Sequence, residues 1–261
     1  MVAPTSIREV GSKLAQAGRL QSRPLCIYGS KTIPAGAVSS TSISRCVAQA
    51  IVTIALRDSA PAIYVTREMP EMCCPGGLAH LGYSPFNPGI KYFVSTGSKE
   101  YRAGQAEFLR TTPELFERNR RTMGEITPLD RYTVIQPCDD VTDEDPGVRS
   151  ILCFGTADQV RNLISLIHFR SQDPFHNTLA PQGAARASFV SYAAGIVENC
   201  PPDSAIFGPS DPTGNRWFPE NYLSLAIPIR IARGMADDLE NSFIMKRPTV
   251  AYPEQRLKLH S

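Results

Sequence analysis

Short apolar runs and longer helical patterns alternate along this chain of 261 residues, and the alternation limits the folds open to it. Apolar, strand-like runs occur in both halves, at 24–28, 62–65, 150–154, 205–207 and 223–227. Helical periodicity occupies intervals between them, at 7–20, 43–56 and 157–169. Strands that alternate with helices are typical of an α/β or α+β fold. The sequence therefore predicts a fold of two similar-sized halves packed as one domain.

The clearest boundary is an acidic segment at 139–149, where five carboxylates fall within the seven residues 139–145. It separates an N-terminal half at 1–138 from a C-terminal half at 150–261. Its spacing differs from that of an EF-hand calcium loop, so we interpret it as an exposed linker. Because this linker is short, we expect the two halves to form a single compact domain.

The secondary structure of three further stretches is predicted from less regular patterns. Residues 89–95 alternate in hydrophobicity and predict a strand. Residues 98–121 predict a surface helix broken near Pro113, with Arg118, Arg120 and Arg121 as a solvated group at its end. Residues 184–198 predict a late helix in the second half.

Composition favours a globular protein and argues against two classes of partner. The chain is 42% hydrophobic and 20% charged, which is ordinary for a soluble domain. Its 27 basic and 25 acidic residues are dispersed, so no basic patch indicates nucleic acid. No apolar run approaches 18 residues and no signal peptide is recognisable, so we expect a cytoplasmic protein without a membrane partner. Seven cysteines at scattered spacings indicate reduced thiols.

Two adjacent cysteines, Cys73 and Cys74, stand before Pro75, Gly76 and Gly77. Proline suits the first turn of a helix, so we predict a helix that begins after Cys74. Both sulfurs would then lie near unsatisfied amides and the positive end of the helix dipole, which favours the thiolate.

A thiophilic metal centre is the first hypothesis for this segment. Cys46 is expected near the start of the apolar helix at 43–56, and the order of strands and helices brings it within reach of Cys73 and Cys74. Three thiolates, with Cys200 as a fourth candidate, suit an iron–sulfur cluster or a related metal. The chain has no CxxC motif, and adjacent cysteine side chains diverge, which weighs against this hypothesis. Cys153, like Cys26, lies in an apolar strand and is expected in the core.

Other functions remain open beside the metal centre. A small anion could bind at the helix start through Gly76 and Gly77, with Arg216 as its guanidinium partner. Covalent catalysis by Cys74 is a further alternative. His80 lies about 120° from Cys74 around a helix, so the base would have to be His168 or His176. A non-catalytic subunit or scaffold, with a protein partner or as a homo-oligomer, is also consistent with the sequence.

Several short motifs occur together in an order that resembles the ArCR family, domain of unknown function 169. They are Arg45-Cys46-Val47-Ala48-Gln49-Ala50, Cys74-Pro75-Gly76-Gly77 with Leu81-Gly82, the run at 155–163, Gly183-Ala184-Ala185 and Asn215-Arg216. The resemblance implies an α/β or α+β domain, found mostly in archaea and anaerobic bacteria, with no settled activity.

The resemblance also bears on the cysteines. It maps family cysteines onto Cys46 and Cys74, whereas a late Gly-Cys pair of the family is replaced by Gly183-Ala184-Ala185. Together with the thiols, it leads us to expect a thiolate-site protein of anaerobic metabolism that binds a metal centre or a redox-active cofactor. Whether the protein is an enzyme is left open.

Overall fold

The computed structural model describes residues 5–69, 75–142, 145–211 and 218–246. Within these ranges, the strands form one sheet: β1 (Leu25–Ser30), β2 (Val38–Ser39), β3 (Ile63–Thr66), β4 (Tyr132–Pro137), β5 (Val148–Thr156), β6 (Thr178–Leu179), β7 (Ala205–Gly208) and β8 (Tyr222–Pro228). Their order across the sheet is β2-β3-β4-β1-β5-β8-β7-β6. The outermost pairs, β2 with β3 and β6 with β7, are parallel, and the inner pairs are antiparallel. The predicted α/β class is confirmed.

Helices cover both faces of this sheet. They are α1 (Ile7–Gly18), α2 (Ser40–Ile43), α3 (Val47–Leu56), α4 (Pro75–His80), α5 (Ile90–Phe93), α6 (Pro113–Met123), α7 (Ala157–Ile167), α8 (Ile229–Asp238) and α9 (Phe243–Lys246). Helices α1, α7 and α8 pack on one face and enclose what we call the α1-side core. Helix α3 and the buried segment that contains a π-helix (Ala187–Ser191) enclose the α3-side core on the other face.

The central strands β1 and β5 are buried on both faces. Leu25 and Ile27 of β1 point into the α3-side core, whereas Cys26 and Tyr28 point into the α1-side core. All four side chains are at most 4% exposed. A strand covered on both sides is apolar at every position rather than at every second one, and this explains the continuous apolar run in the sequence.

Helix ends follow the sequence signals closely. The Ser6 hydroxyl accepts a hydrogen bond from the Glu9 backbone N–H at 3.2 Å, as the predicted cap of α1. Such a cap contributes about 1 kcal/mol to stability. Thr156 and Gln159 form a reciprocal capping box at the start of α7. Capping side chains explain why the beginnings of these two helices could be read from the sequence.

The prediction of a strand at 89–95 is wrong, because these residues form the helical turn α5. The Asn87 side chain accepts a hydrogen bond from the Gly89 N–H at 2.8 Å and turns the chain into this helix. Local side-chain bonding of this kind outweighs a short alternating pattern, which is a weak signal.

Pro113 begins helix α6 rather than interrupting a longer one. It occupies the first turn of the helix, where a missing N–H costs nothing, and Thr112 caps the end with its hydroxyl at 3.2 Å from the Leu115 N–H. The predicted late helix at 184–198 is also only partly correct. The chain forms the π-helix and then ends its helical course at Gly195, which has a φ of 70°.

The acidic segment is tied to the body of the protein at the positions that the structure describes. Arg23 forms salt bridges with Asp139 at 2.8 Å and with Asp140 at 2.7 Å. Asp145 pairs with Arg233, and it accepts hydrogen bonds from the backbone N–H groups of Gly147 and Val148. Because β1 from the first half pairs with β5 from the second, the sheet continues across this segment.

None of the helices in the described ranges has the length and apolarity required to span a membrane.

Buried phenols and thiols predict a loss of stability at alkaline pH. Burial raises the pKa of Tyr28 and of Tyr83 from 10 to about 12, and that of Cys153 from 9 to about 12. The unfolded chain therefore loses protons that the folded chain retains, so the free energy of unfolding should fall between pH 9 and pH 12. Urea unfolding at a series of pH values measures this dependence.

The variant Tyr83→Phe is the control for this prediction. It removes one titrating group, so the decline should be shallower than in the wild type. It also removes the hydrogen bond from the Tyr83 hydroxyl to the Asp130 carbonyl at 2.9 Å, which should cost about 1 kcal/mol at neutral pH. An unfolding midpoint that stays constant over the alkaline range would contradict the prediction.

Candidate functional site: an arginine-lined cavity

A cavity of about 250 Å³ lies on the side of the sheet that carries the α3-side core. Its walls come from α4, α5, α6, the connecting segment 101–110 and the segment 182–186. These pieces are distant in sequence and meet only in the folded chain. The lining combines aromatic rings with guanidinium groups, and this composition distinguishes it from the ordinary packed core.

One wall of the cavity is aromatic. Phe86, Phe93, Tyr101 and Phe116 contribute to it, and all four side chains are half-buried. A salt bridge between Lys91 and Glu117 holds α5 against α6, so that rings from different elements face the same space.

The connecting segment is fastened to the end of α5 by backbone hydrogen bonds. The Glu107 N–H donates to the Phe93 carbonyl at 2.7 Å, and the Arg110 N–H donates to the Val94 carbonyl at 3.0 Å. The Tyr101 ring rests on Gly89, where an added Cβ would come within 2.1 Å of the ring. Glycine is therefore required at this position for the segment to close over the cavity.

Backbone strain is concentrated in the same segment. Arg102, Ala103 and Phe108 have φ values of 49°, 51° and 53°, in the left-handed region that side chains other than glycine rarely adopt. Residues held in this region cost of order 1–3 kcal/mol each and cluster at functional sites. The strained segment supplies Tyr101, Arg102 and Arg110 to the cavity wall.

Arg186 is the central polar residue of the opposite wall. It precedes the π-helix, and its guanidinium lies so close to Gly76 that a Cβ there would be 2.5 Å from Nη2. Its Nε is buried and has no hydrogen-bond partner. A buried N–H without an acceptor costs about 1–3 kcal/mol. The wall therefore holds a desolvated cationic donor that a ligand could satisfy.

Arg110 is the second half-buried guanidinium at the cavity. Burial lowers its pKa from the ordinary value, and the nearby Tyr192 has the opposite, smaller effect. Its Nη1 donates a long hydrogen bond of 3.4 Å to the Leu109 carbonyl. With the Asn119 amide oriented to satisfy both of its neighbours, the Asn119 oxygen accepts from Arg110 Nη2 at 3.2 Å. The Arg110 guanidinium thus donates to two neutral acceptors, the Leu109 carbonyl and the Asn119 amide oxygen.

Two exposed arginines stand at the cavity on the aromatic side. The Arg102 guanidinium lies 4.2 Å from the centre of the Phe93 ring, and that of Arg120 lies 5.9 Å from the centre of the Phe86 ring. Such cation–π contacts hold the cations in place and leave their hydrogen-bond donors available.

Positive charge exceeds negative charge around the cavity. Glu107 and Asp211 also reach the lining, against the four guanidiniums of Arg102, Arg110, Arg120 and Arg186. None of these arginines forms a salt bridge within the described ranges, whereas arginines elsewhere, such as Arg23 and Arg170, pair with aspartates. The electrostatics of the cavity therefore favour an anion.

The structure places only part of the predicted anion site. Gly76 lines the cavity, and Gly77 beside it is buried. Arg216 lies outside the described residues. Helix α4 has six residues, so its dipole is a minor contribution and the arginines dominate the local charge.

The predicted metal ligands are also placed only in part. Cys46 is the residue that precedes α3 and is half-buried against the α3-side core, whereas Cys73 and Cys74 lie outside the described residues. Among the residues that are described, no group of three or more His, Cys, Asp or Glu side chains is arranged to hold a metal ion. Burial raises the pKa of Cys200, which favours its neutral thiol.

Other cysteines and histidines are accounted for by structure alone. Cys26 and Cys153 are fully buried in the α1-side core, which confirms their prediction as core residues. His168 ends α7 on the opposite face of the sheet from α4, and His176 pairs with Asp173 at 2.7 Å on an exposed turn. His80 is 8% exposed and meets Phe86 edge to face at the cavity.

No sequence pattern predicts Arg102, Arg110 and Arg186 as site residues. Arg120 belongs to the group interpreted as a solvated helix end in preference to an anion site. Arg118 and Arg121 are exposed as predicted, but Arg120 reaches the cavity. No motif marks the four cavity arginines, since they come from three separate segments.

Residues 13–238 match the uncharacterised ArCR family, domain of unknown function 169, and the chain belongs to that family. No curated protein and no solved structure was found to match the chain. Gly183 and Ala184, from one of the motifs that carry the resemblance, both line the cavity.

Because Arg186 Nε is buried without an acceptor, we expect a substitution of Arg186 to stabilise the protein, whereas most substitutions destabilise it. Arg186→Met should raise the free energy of unfolding of the ligand-free protein by about 1 kcal/mol, because it removes a buried donor without an acceptor. Urea unfolding monitored by circular dichroism measures the change.

Arg23→Met provides the matched control. Arg23 likewise has one buried nitrogen without a partner, Nη1, but its Nε and Nη2 are bound by Asp139 and Asp140, so its replacement should lower the free energy of unfolding. If Arg186→Met destabilises the protein as much as Arg23→Met does, the Arg186 guanidinium is satisfied and the prediction is wrong.

Proposed function

We propose that this protein binds a small organic anion in the arginine-lined cavity. The observation that carries the proposal is the Arg186 guanidinium, which lines a largely apolar cavity and has no salt-bridge partner within the described ranges. A carboxylate or phosphate in the cavity would supply the charged acceptor that this guanidinium lacks there.

Three features of the surroundings support the same ligand chemistry. Guanidiniums outnumber carboxylates around the cavity, and Arg110 is desolvated and has no carboxylate partner among the described residues. The cavity is concave and combines apolar surface with polar groups, as small-molecule sites do. The left-handed residues Arg102, Ala103 and Phe108 keep one wall in a strained conformation, which is typical of ligand-binding segments.

Isothermal titration calorimetry with a panel of sodium salts tests the proposal. The panel contains acetate, hexanoate, benzoate and phenyl phosphate, titrated into the full chain at low ionic strength. At least one organic anion should bind, and Arg186→Met should weaken its binding at least tenfold, because a charge-assisted pair contributes about 1.5–3 kcal/mol. Arg110→Met should also weaken the binding of the same ligand.

Arg118→Met is the matched control for these variants. It removes a cation from exposed α6 without touching the cavity, so the dissociation constant should stay within about twofold of the wild type. If every anion binds the Arg186 and Arg118 variants alike, or if none binds the wild type, the proposal fails.

A thiolate-bound metal centre or redox-active cofactor is our second proposal. One observation favours it: Cys46 before α3 and Leu78 of α4 pack against the same core, and α4 begins directly after Cys73 and Cys74. Cys46, Cys73 and Cys74 would be the ligands, and soft thiolates favour an iron–sulfur cluster or a similar thiophilic metal.

Anaerobic purification followed by metal analysis and an absorption spectrum tests this second proposal. Cys74→Ser should remove the metal, because it deletes a thiolate, whereas Cys153→Ala should retain it, because Cys153 is a buried core residue. Colourless, metal-free wild-type protein from anaerobic cells would overturn the proposal, as would equal metal content in the two variants.

A further inference from the structure

The size of the cavity suits a small occupant. An apolar protein cavity of 150 Å³ is large enough to bind benzene. The cavity here has about 250 Å³, which leaves space for one short charged substituent beyond such a ring. It is smaller than most sites for drug-sized molecules, which range from about 300 to 1,000 Å³.

Phenylalanine rings and guanidiniums line the same cavity. Phe86, Phe93 and Phe116 come from α5, α6 and the residues before α5. Arg186 comes from the segment before the π-helix and lies beside Gly76. A molecule with an apolar body and an anionic group could contact both kinds of side chain.

The aromatic wall favours a planar ring over a saturated one. Aromatic pairs in offset or edge-to-face geometry contribute about 0.5–1.5 kcal/mol beyond the burial of their area. The rings of Phe93 and Phe86 each already have a cation against them, from Arg102 and Arg120. Phe116 has no such cation among the described residues, so it is the natural contact for a ligand ring.

We infer that the ligand is a single-ring aromatic acid, with its ring against Phe116 and its carboxylate or phosphate group on Arg186. This inference rests on the proposed anion-binding function and specifies the chemical class of the anion. The excess of arginines over Glu107 and Asp211 distinguishes such an acid from a zwitterionic aromatic amino acid, whose net charge is zero.

Titration calorimetry with four carboxylates and phenyl phosphate tests the inference. The carboxylates are benzoate, 3-phenylpropanoate, cyclohexanecarboxylate and acetate, and L-phenylalanine serves as the zwitterionic comparison. An aromatic acid should bind about threefold to tenfold more tightly than cyclohexanecarboxylate, and acetate should be weakest. The benzoate and phenyl phosphate titrations show which anionic group Arg186 prefers.

Methionine methyl NMR locates the ring without relying on affinity. Met123 lines the cavity, whereas Met235 is buried in the α1-side core on the other face of the sheet. A bound aromatic acid should shift the Met123 methyl signal through its ring current and leave the Met235 signal in place. Cyclohexanecarboxylate should cause a smaller shift of Met123.

Phe116→Leu should remove the preference for an aromatic ring while retaining affinity for acetate. Its methyl spectrum without ligand shows whether the fold is intact, and Phe93→Leu is the second variant if it is not. Phe93→Leu should likewise reduce the ratio of benzoate to cyclohexanecarboxylate affinity, because Phe93 belongs to the same wall.

The possible outcomes separate this inference from the proposed function. If cyclohexanecarboxylate and benzoate bind equally, or if L-phenylalanine binds more tightly than 3-phenylpropanoate, the aromatic-acid inference is overturned while anion binding stands. If no acid binds the wild type, both are overturned. An aromatic preference that survives in both Phe116→Leu and Phe93→Leu also overturns the inference.

Discussion

The pairing of β1 with β5 at the centre of the sheet is the constraint on which the structure depends. Both strands bury apolar side chains on both faces, so both faces of the sheet must be covered. Helices α1, α7 and α8 cover one face with regular packing. The other face is covered by α3 and by short helical turns and irregular segments, which do not pack densely everywhere. The cavity lies among these irregular segments because short elements cannot fill the space as long helices do.

The regular face is closely packed, as the lack of space beside one of its glycines shows. At Gly11 of α1, an added Cβ would come within 2.3 Å of the Cys138 Cβ, so the helix lies directly on that buried cysteine. The cavity face is packed less evenly, since it leaves a cavity of about 250 Å³ next to close contacts such as that of Gly76 with Arg186. Proteins retain unsatisfied groups where binding needs them, at a cost in stability. The proposed anion site therefore lies on the irregular face.

The sequence predicted the regular parts of the fold because local rules determined them. Helical periodicity marked α1, α3 and α7, and apolar runs marked the central strands. The errors at 89–95 and 184–198 fall where single residues override the hydrophobic pattern. The side chain of Asn87 turns the chain into α5, and Gly195 ends a helical course that the pattern continued. Both regions contribute residues to the lining of the cavity.

The sequence by itself determined the fold class and the buried cysteines of the central strands. Periodicity and capping are local, so they can be read along the chain. Only the tertiary structure decided that Arg110 and Arg186 share one cavity with Phe116 and Arg120 of α6, because these residues come from three separate segments. Convergence of side chains across such distances depends on how the elements pack, and no local pattern encodes it.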